Sequence, residues 1–517
     1  MKKKDHIPLN YIEKNNVKIS FICSIAVLLI LLFLFQQLDY RLIQKPADDA
    51  IRQAELEKQK AEEIANTPVI TQASVIAVGD NLYHGSLLES GKYDTGEWNY
   101  DHIYEHVLPE IQAADVALID QETVLTTEHD AIASYPSFAT PTEVGDAIMK
   151  AGFNVVESAT NHIDDYGYDF MAQTFDFWKT NYPDVPVLGI HETAEDAEEV
   201  KTLTVNDITF AFLDFTYGTN NGGAGEGRDF MIDTFDQQRV SEMIQKAKAI
   251  SDCLIFVAHW GTEDETMPNE YEKQWAAFLM QQGVDVVIGG HPHVMQPYGF
   301  LSDDAGHSML IFYSLGNFVS TQQELPELLE GMASFTVQKT TLKGETTIQI
   351  LEPEIKPMVM HYNHDSGDYG PYMLEDYTEE LASQHSVRSI IGDEFTLANL
   401  KQKYEEIMCM NVEPSTKTNL LNVKFDWEGN MIDKTTGNVI EDTDSVRSYE
   451  YWSEHASSYP QTDGASGAAA SSGSEDSGDT EYDSYDGSYE YDSSYGDDSS
   501  YGYGSYDSYG TSYDDYY

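Results

Sequence analysis

The chain has 517 residues, of which 89 are Asp or Glu and 29 are Lys or Arg, so its formal net charge is −60. A phosphate backbone is bound through Lys and Arg, and this charge balance therefore argues against nucleic acid as a partner. The length allows a large core and more than one region. The three cysteines fall in an apolar segment, a strand pattern and a helix pattern, which predicts no disulfide framework.

The N-terminal segment combines positive charge with an apolar run. Residues 1–18 contain five lysines, and residues 19–35 carry no charge. Counted to residue 38, this run is long enough to cross a bilayer, and its positive flank favours the cytoplasm. We predict a single-pass transmembrane anchor at residues 19–38, a cytoplasmic N-terminus and an extracellular main domain. A cleaved signal peptide is the alternative, although no small-x-small cleavage motif follows the run.

Residues 39–72 are highly charged with helical spacing and predict a solvated helical stalk. From residue 73 to residue 360, short apolar runs rich in β-branched residues alternate with helix patterns, which predicts an α/β domain. The predicted strands are 75–78, 116–119, 208–213, 254–258, 284–288 and 309–313, with a closing hairpin at 333–337 and 347–351. The predicted helices are 143–151, 168–181, 237–250 and a segment opened by Pro268 and closed near Gly283.

The C-terminal third has weaker patterns. Residues 361–460 predict an extension or accessory module, with a helix at 395–410 and a possible strand at 422–427. Residues 461–517 consist almost entirely of Gly, Ser, Tyr, Asp and Glu, a composition that cannot bury a core and predicts disorder. Their tyrosines suit weak adhesion to glycans, wall polymer or basic proteins. A solvated acidic brush is the alternative, and both interpretations stay open.

Metal-ligating side chains follow the predicted strands. The residues concerned are Asp80, Glu122, Asn161, His162, His259, His291 and His293. Open α/β sheets bind ligands at the carboxyl ends of their strands, so these side chains are expected to meet at one edge. Carboxylate, amide and imidazole donors can hold one or two divalent ions, and the mixed N and O set suits Mn, Fe or Zn. His162, beside Asn161, is a candidate acid for a leaving oxygen.

The motifs also carry a family resemblance. In order they are Gly79-Asp80, Glu122, Ala159-Thr160-Asn161-His162 with Asp165, His259-Trp260-Gly261 with Glu263, Gly290-His291-Pro292-His293-Val294 with Gln296, and Ser314-Leu315-Gly316-Asn317-Phe318. Their order and spacing resemble the CapA-type poly-gamma-glutamate biosynthesis proteins, which are similar to calcineurin-like metallophosphoesterases. The resemblance implies a four-layer αββα sandwich of two mixed sheets. It also implies a Gram-positive surface protein whose partners are a membrane-embedded polymer synthesis or export complex and anionic polymer or cell-wall material.

The resemblance also implies roles for the site residues. It implies that Asp80 and His293 ligate the first metal and that Glu122 bridges the two metals. Asn161, His259 and His291 are the implied ligands of the second metal. His162 and Asp165 are the expected catalytic pair, and Glu263 and Asn317 are expected to bind substrate.

Some positions depart from the family pattern. Leu82 stands where phosphoesterases have a histidine, so the first metal lacks a ligand unless His84 reaches it. The family's usual Asn-Leu-Glu is Asp120-Gln121-Glu122 here.

Three functions remain open at this level. The domain can be a component of polymer assembly or export that binds the growing chain. It can be a surface hydrolase that cleaves a phosphoester or a gamma-glutamyl amide with one or two metals. It can also be a scaffold whose acidic tail acts. A complete ligand set predicts turnover, whereas an incomplete set predicts binding alone.

Overall fold

The computed structural model describes residues 9–303, 306–412, 423–425 and 431–433. The helices are α1 (Leu9–Asp39), α2 (Lys45–Ala65), α3 (Gly85–Ser90), α4 (Leu108–Ala113), α5 (Thr142–Ala151), α6 (Gly167–Asn181), α7 (Gln237–Lys248), α8 (Glu270–Gln282), α9 (Glu379–Gln384), α10 (Arg388–Ile391) and α11 (Leu397–Met408). The strands are β1 (Val69–Asn81), β2 (Val116–Asp120), β3 (Leu125–Thr126), β4 (Thr140–Pro141), β5 (Val155–Glu157), β6 (Lys201–Val205), β7 (Ile208–Thr216), β8 (Cys253–His259), β9 (Val286–Gly290), β10 (Tyr298–Ser302), β11 (Ser308–Phe312), β12 (Asn317–Val319), β13 (Leu329–Leu342), β14 (Glu345–Asn363), β15 (Asp368–Met373), β16 (Val423–Phe425) and β17 (Met431–Asp433).

One unit comprises the described residues up to Gln72 together with Val337–Gln349. In it, a π-helical turn at Tyr40–Gln44 joins α1 to α2. The large apolar side chains between residues 19 and 35 are exposed. By length and composition this helix can cross a membrane, and a signal sequence would meet the same test.

The second unit, Ala73–Thr336 with the described residues from Ile350 onward, holds the core of two mixed sheets. The seven-stranded sheet has the order β15-β14-β13-β1-β2-β5, with β12 also paired to β1. The six-stranded sheet has the order β10-β11-β9-β8-β7-β6. In the seven-stranded sheet β1, β2 and β5 pair in parallel, whereas β14 and β15 pair antiparallel. In the six-stranded sheet the inner pairs are parallel and the edge strands β10 and β6 pair antiparallel, so both sheets are mixed. The predicted α/β class with two mixed sheets is confirmed.

The core explains why the central strands are apolar runs rather than alternating patterns. Strand β8 is buried along its whole length, as strands covered on both faces are. Helices α7 and α8 pack their apolar sides on this sheet, with Trp260 and Trp275 fully buried in the same cluster. The strand ends are thereby held in fixed positions.

Helix α8 and the closing hairpin are among the elements whose bounds differ from the prediction. Helix α8 begins at Glu270 rather than Pro268, because the Asn269 side chain accepts from the backbone of Glu272 and forms a capping box. The closing hairpin is longer than its apolar runs, because β14 pairs with β15 as well as β13 and sheet hydrogen bonds extend into polar sequence. The expected domain limit at residue 360 consequently falls inside β14. The predictions for residues 461–517 lie outside the described residues.

Candidate metal centre

Four polar side chains stand in one row across the seven-stranded sheet. Asn317 of β12 is in register with Asp80 of β1, Asp80 with Asp120 of β2, and Asp120 with Glu157 of β5. All four are at most 3% exposed. Neighbouring strands lie about 4.8 Å apart, so three carboxylates are held side by side in a buried place. This row forms one wall of the candidate site.

The other wall is the edge of the six-stranded sheet. His259 ends β8 in register with Gly290, which ends β9 and is followed at once by His291. A Cβ on Gly290 would lie 2.8 Å from Asp80 Oδ1 and 3.1 Å from Asp120 Oδ2, so glycine is what lets the two sheet edges approach. His291 and His293 have φ angles of 93° and 58°. Such left-handed conformations are costly for non-glycine residues and are concentrated at functional sites.

The two walls bring six ligand-type side chains into two triads. Within each triad the ligand atoms lie within 4.8 Å of one another. The triads are Asp80, Asp120 and His259, and Glu122, His291 and His293. Asn161, the remaining expected ligand, lies beside the first triad, where His259 Nε2 donates to its Oδ1 at 2.8 Å.

Asp120 is the side chain that the sequence reasoning left out of the ligand set. In sequence it is a departure from the family pattern, and its position at the end of β2, in register with Asp80, is the signal for a ligand. His84 belongs to neither triad. Its Nδ1 accepts from the Thr321 amide at 3.3 Å, and its ring packs edge-on against Phe138.

The charges in the centre are only partly compensated by protein groups. Both carboxylate oxygens of Glu122 and Oδ1 of Asp120 are buried and have no hydrogen-bond partner among the described residues. Burial raises the pKa of Glu122 to about 8, with His293 opposing the shift. Burial, reinforced by the charge of Asp80, also raises the pKa of Asp120 well above its usual range. Buried carboxylates of this kind are stabilised by a cation, so the donor set fits a divalent metal.

The imidazoles divide into two protonation classes. Burial lowers the pKa of His259 to about 3 and that of His291 well below its ordinary value. Both rings are therefore neutral and can offer a lone pair to a metal. Burial also disfavours charge on His293, but Glu122 and Asp80 outweigh it and raise the pKa of His293 well above its ordinary value. His293 Nδ1 lies 2.9 Å from Asp80 Oδ2.

His162 and Asp165 form a separate buried pair. His162 Nδ1 lies 2.7 Å from Asp165 Oδ2, which also accepts from the Phe138 amide at 2.7 Å. Burial opposes a charge on His162, but Asp165 raises the pKa of this histidine above its ordinary value. The pair therefore holds a proton next to Asn161.

The two expected substrate-binding residues lie in different settings. Asn317 Oδ1 is 3.1 Å from His293 Nδ1, and its amide nitrogen donates to Gln322 Oε1 at 2.7 Å. These contacts place Asn317 as a support for His293. Glu263 is half-buried, and its charge helps to raise the pKa of both Glu122 and His293. It therefore lies near the centre, and substrate binding by either residue stays a prediction.

The fold and the site together define a class: an α/β domain of two mixed sheets with a buried cluster of metal-ligating side chains where the sheet edges meet. Residues 74–322 match the family model described as "Bacterial capsule synthesis protein PGA_cap". The resemblance to CapA-type proteins is thereby confirmed.

Two curated relatives are similar to part of the chain. It is 30% identical over 226 residues to "PGA biosynthesis protein CapA" of Bacillus subtilis (strain 168), covering 43% of this chain and 57% of the relative. It is 27% identical over 235 residues to "Capsule biosynthesis protein CapA" of Bacillus anthracis, covering 43% and 54%. The match spans a little over half the length of these relatives.

Solved structures with distant likeness include two hydrolases. One is described as a novel phosphatase from Mycoplasma pneumoniae, with 14% identity, a TM-score of 0.33, and coverage of 56% of this chain and 95% of that one. Another is a putative 5'-nucleotidase from Staphylococcus aureus, with 14% identity, a TM-score of 0.35, and coverage of 55% and 54%.

Proposed function

We propose that this protein takes part in the synthesis or export of a poly-gamma-glutamate capsule, as a membrane-anchored protein with its main domain outside the cell. The observation that carries the proposal is the family match of residues 74–322. The helix that can cross a membrane supports the anchor at residues 19–38, and the lysines before it support a cytoplasmic N-terminus. The partner is a membrane-embedded polymer synthesis or export complex.

The centre would hold one or two divalent metals. Asp80, Asp120 and His259 would bind one ion, and Glu122, His291 and His293 the other, with Asn161 beside the first. The mixed oxygen and nitrogen donors suit Mn, Fe or Zn. A bound ion of this kind polarises a phosphoryl or carbonyl oxygen and generates a nucleophile from water near neutral pH. A bound cation would also attract an anionic polymer, which the strongly negative protein would otherwise repel.

A second candidate function is a metal-dependent surface hydrolase acting on a phosphoester or a gamma-glutamyl amide. The buried pair of His162 and Asp165 favours it, because a polymer-binding site needs no proton donor. Asp165 orients the ring through Nδ1 and stabilises its charged form, which leaves Nε2 to give a proton to a leaving group. Catalysis is therefore proposed as an activity of the same centre.

Deletion of the gene in the native host tests the main proposal. We expect cell-associated poly-gamma-glutamate to disappear on deletion and to return with the wild-type gene. It should not return with the H291A/H293A variant expressed at the same level. Unchanged polymer after deletion would reject the capsule role. Full restoration by H291A/H293A would reject a role for the metal centre in that process.

A further inference from the structure

The segment between β7 and the short helical turn at Asp229–Met231 is glycine-rich. It includes Gly222 and Gly223, whose φ angles are 80° and 95° and around which a Cβ would meet no atom within 4 Å. Such sequence loses much backbone entropy when it is ordered, so a defined conformation requires specific contacts. These contacts come from one buried carboxylate, Asp164.

Asp164 is fully buried just before α6. Its Oδ2 accepts from Thr219 Oγ1 at 2.8 Å and from the Gly223 amide at 2.6 Å, while its Oδ1 accepts from the Asn221 amide at 3.3 Å. In addition, the side-chain amide of Asn221 donates to the backbone oxygens of Asp164 and Asp165 at 3.2 and 3.0 Å. Hydrogen bonds to a charged acceptor are the stronger kind, so Asp164 fixes residues 219–223 as a unit.

Residues 219–223 place Asn220 beside Asn161 of the metal centre. The Asn220 amide donates to the backbone oxygen of Asn161 at 2.9 Å, and Asn220 Oδ1 accepts from Asn161 Nδ2 at 3.4 Å. Asn220 Nδ2 lies 3.2 Å from His162 Nδ1. An asparagine amide has one oxygen end and one nitrogen end. With its nitrogen end on Asn220, the Asn161 oxygen is directed to His259 and the first triad.

We propose that Asp164 and Asn220 are positioning residues for this centre. Asp164 fixes the backbone of residues 219–223, and Asn220, held by that backbone, orients the amide of Asn161. The inference rests on the proposed metal centre and adds to it two residues that touch no metal. Removing such outer partners typically lowers metal affinity or activity 10- to 100-fold.

The test measures Mn²⁺ affinity by calorimetry on the full-length protein in detergent, with the melting temperature followed in parallel. We expect N220A to bind Mn²⁺ roughly 10- to 100-fold more weakly at an unchanged melting temperature. N220D, which keeps an acceptor for Asn161 Nδ2, should recover most of the affinity. D164N places an amide where Thr219 and Gly223 need an acceptor, and it should weaken binding to a similar extent.

A double variant and a control complete the design. Because Asp164 acts through Asn220, D164N/N220A should bind no more weakly than N220A alone. The control is D169N, an exposed carboxylate in the first turn of α6, which should bind as wild type does. Wild-type affinity in N220A, or losses that add in the double variant, would overturn the inference. Failure of the wild type itself to bind Mn²⁺ would instead overturn the proposed metal centre.

Discussion

His293 Nδ1 lies 2.9 Å from Asp80 Oδ2, and this contact joins the turn after β9 in one sheet to the end of β1 in the other. The Asp80 carboxylate also accepts from the backbone amide of His291, at 3.2 and 3.3 Å to its two oxygens. One aspartate thus holds both ends of the His291-Pro292-His293 turn. The end of β1 therefore fixes the positions of the imidazoles of His291 and His293.

The first prediction concerns metal content. H291A/H293A should lose bound metal, because it removes two of the three ligands in one triad. Metal per chain by elemental analysis, with far-UV circular dichroism as the check on folding, measures this. The matched control H129A/H307A removes two histidines outside both triads and should keep the metal. An unchanged metal content in H291A/H293A would contradict the assignment of the site.

The second prediction concerns proton transfer and rests on the hydrolase candidate. H162A should keep its metal and lose phosphodiester turnover by roughly 100-fold or more, because a positioned acid contributes about that much. Initial rates with a nitrophenyl phosphodiester and added Mn²⁺ give the comparison. H129A, which alters a half-exposed histidine bonded to Glu143, should turn over as wild type does. Wild-type rates in H162A would exclude it as the acid.

The third prediction concerns the close approach of backbone segments below the centre. A Cβ on Gly79 would lie 1.8 Å from the backbone oxygen of Gly316, which cannot move without displacing β12. We expect G79A to lower the free energy of unfolding by about 1–3 kcal/mol or more. In G299A the new methyl meets no atom within 4 Å, so its effect should stay within about 0.5 kcal/mol. Equal stabilities in denaturant titrations of the two variants would refute this packing.

The fourth prediction concerns pH. Burial raises the pKa of Glu272 to about 8, above its ordinary value of 4.5. The unfolded chain therefore releases this proton near pH 4.5, whereas the folded chain releases it only near pH 8. The contribution of protonated Glu272 to the free energy of unfolding is full below pH 4.5 and is lost as the pH rises from 4.5 to about 8. E272Q keeps the acceptor for the Asn269 amide and cannot ionise.

The free energy of unfolding of E272Q relative to wild type should consequently increase across that pH range. The slope should reach at most about 1.4 kcal/mol per pH unit. Urea unfolding at several pH values measures it, with E379Q, an exposed residue in the first turn of α9, as the matched control. A difference between E272Q and wild type that does not vary with pH would be inconsistent with a buried neutral Glu272.

The fifth prediction concerns the anchor. The exposed apolar residues of α1 should keep the full-length protein in the membrane fraction through a carbonate wash. A variant without residues 19–38 should appear in the soluble fraction. Recovery of the wild type as a soluble protein with a new N-terminus near Asp39 would instead establish a cleaved signal.

Much of the fold could be predicted because its central strands are short apolar runs that end in polar residues. Strand β8 and the helix after it were found from local sequence almost to their ends. Strand β9 begins at Val286 rather than residue 284, and β13 and β14 extend well beyond their apolar cores. These limits depend on which strands become neighbours, and local hydrophobicity does not contain that information.

In the site, too, some residues can be predicted from local sequence and others depend on tertiary contacts. The histidines at the end of β8 and directly after β9 can be predicted because they adjoin buried apolar runs. The position of Asp120 depends on its register with Asp80 and Glu157, because a shift of one residue moves a side chain to the other face of the sheet. Asn220 lies in a glycine-rich segment with no periodic pattern, and only the tertiary contacts of Asp164 bring it to Asn161.

The ligands that meet at the sheet edges are far apart along the chain: Asp120 of β2 and His259 of β8, which belong to one triad, are separated by 139 residues. A cation bound to both would join the two sheets, and binding to the folded domain alone would add to the stability of that domain. At a free metal concentration 100 times the dissociation constant, this thermodynamic linkage is worth about 2.7 kcal/mol. Chelators would then act on this domain as mild denaturants, and the supply of free metal would set how long the domain stays folded.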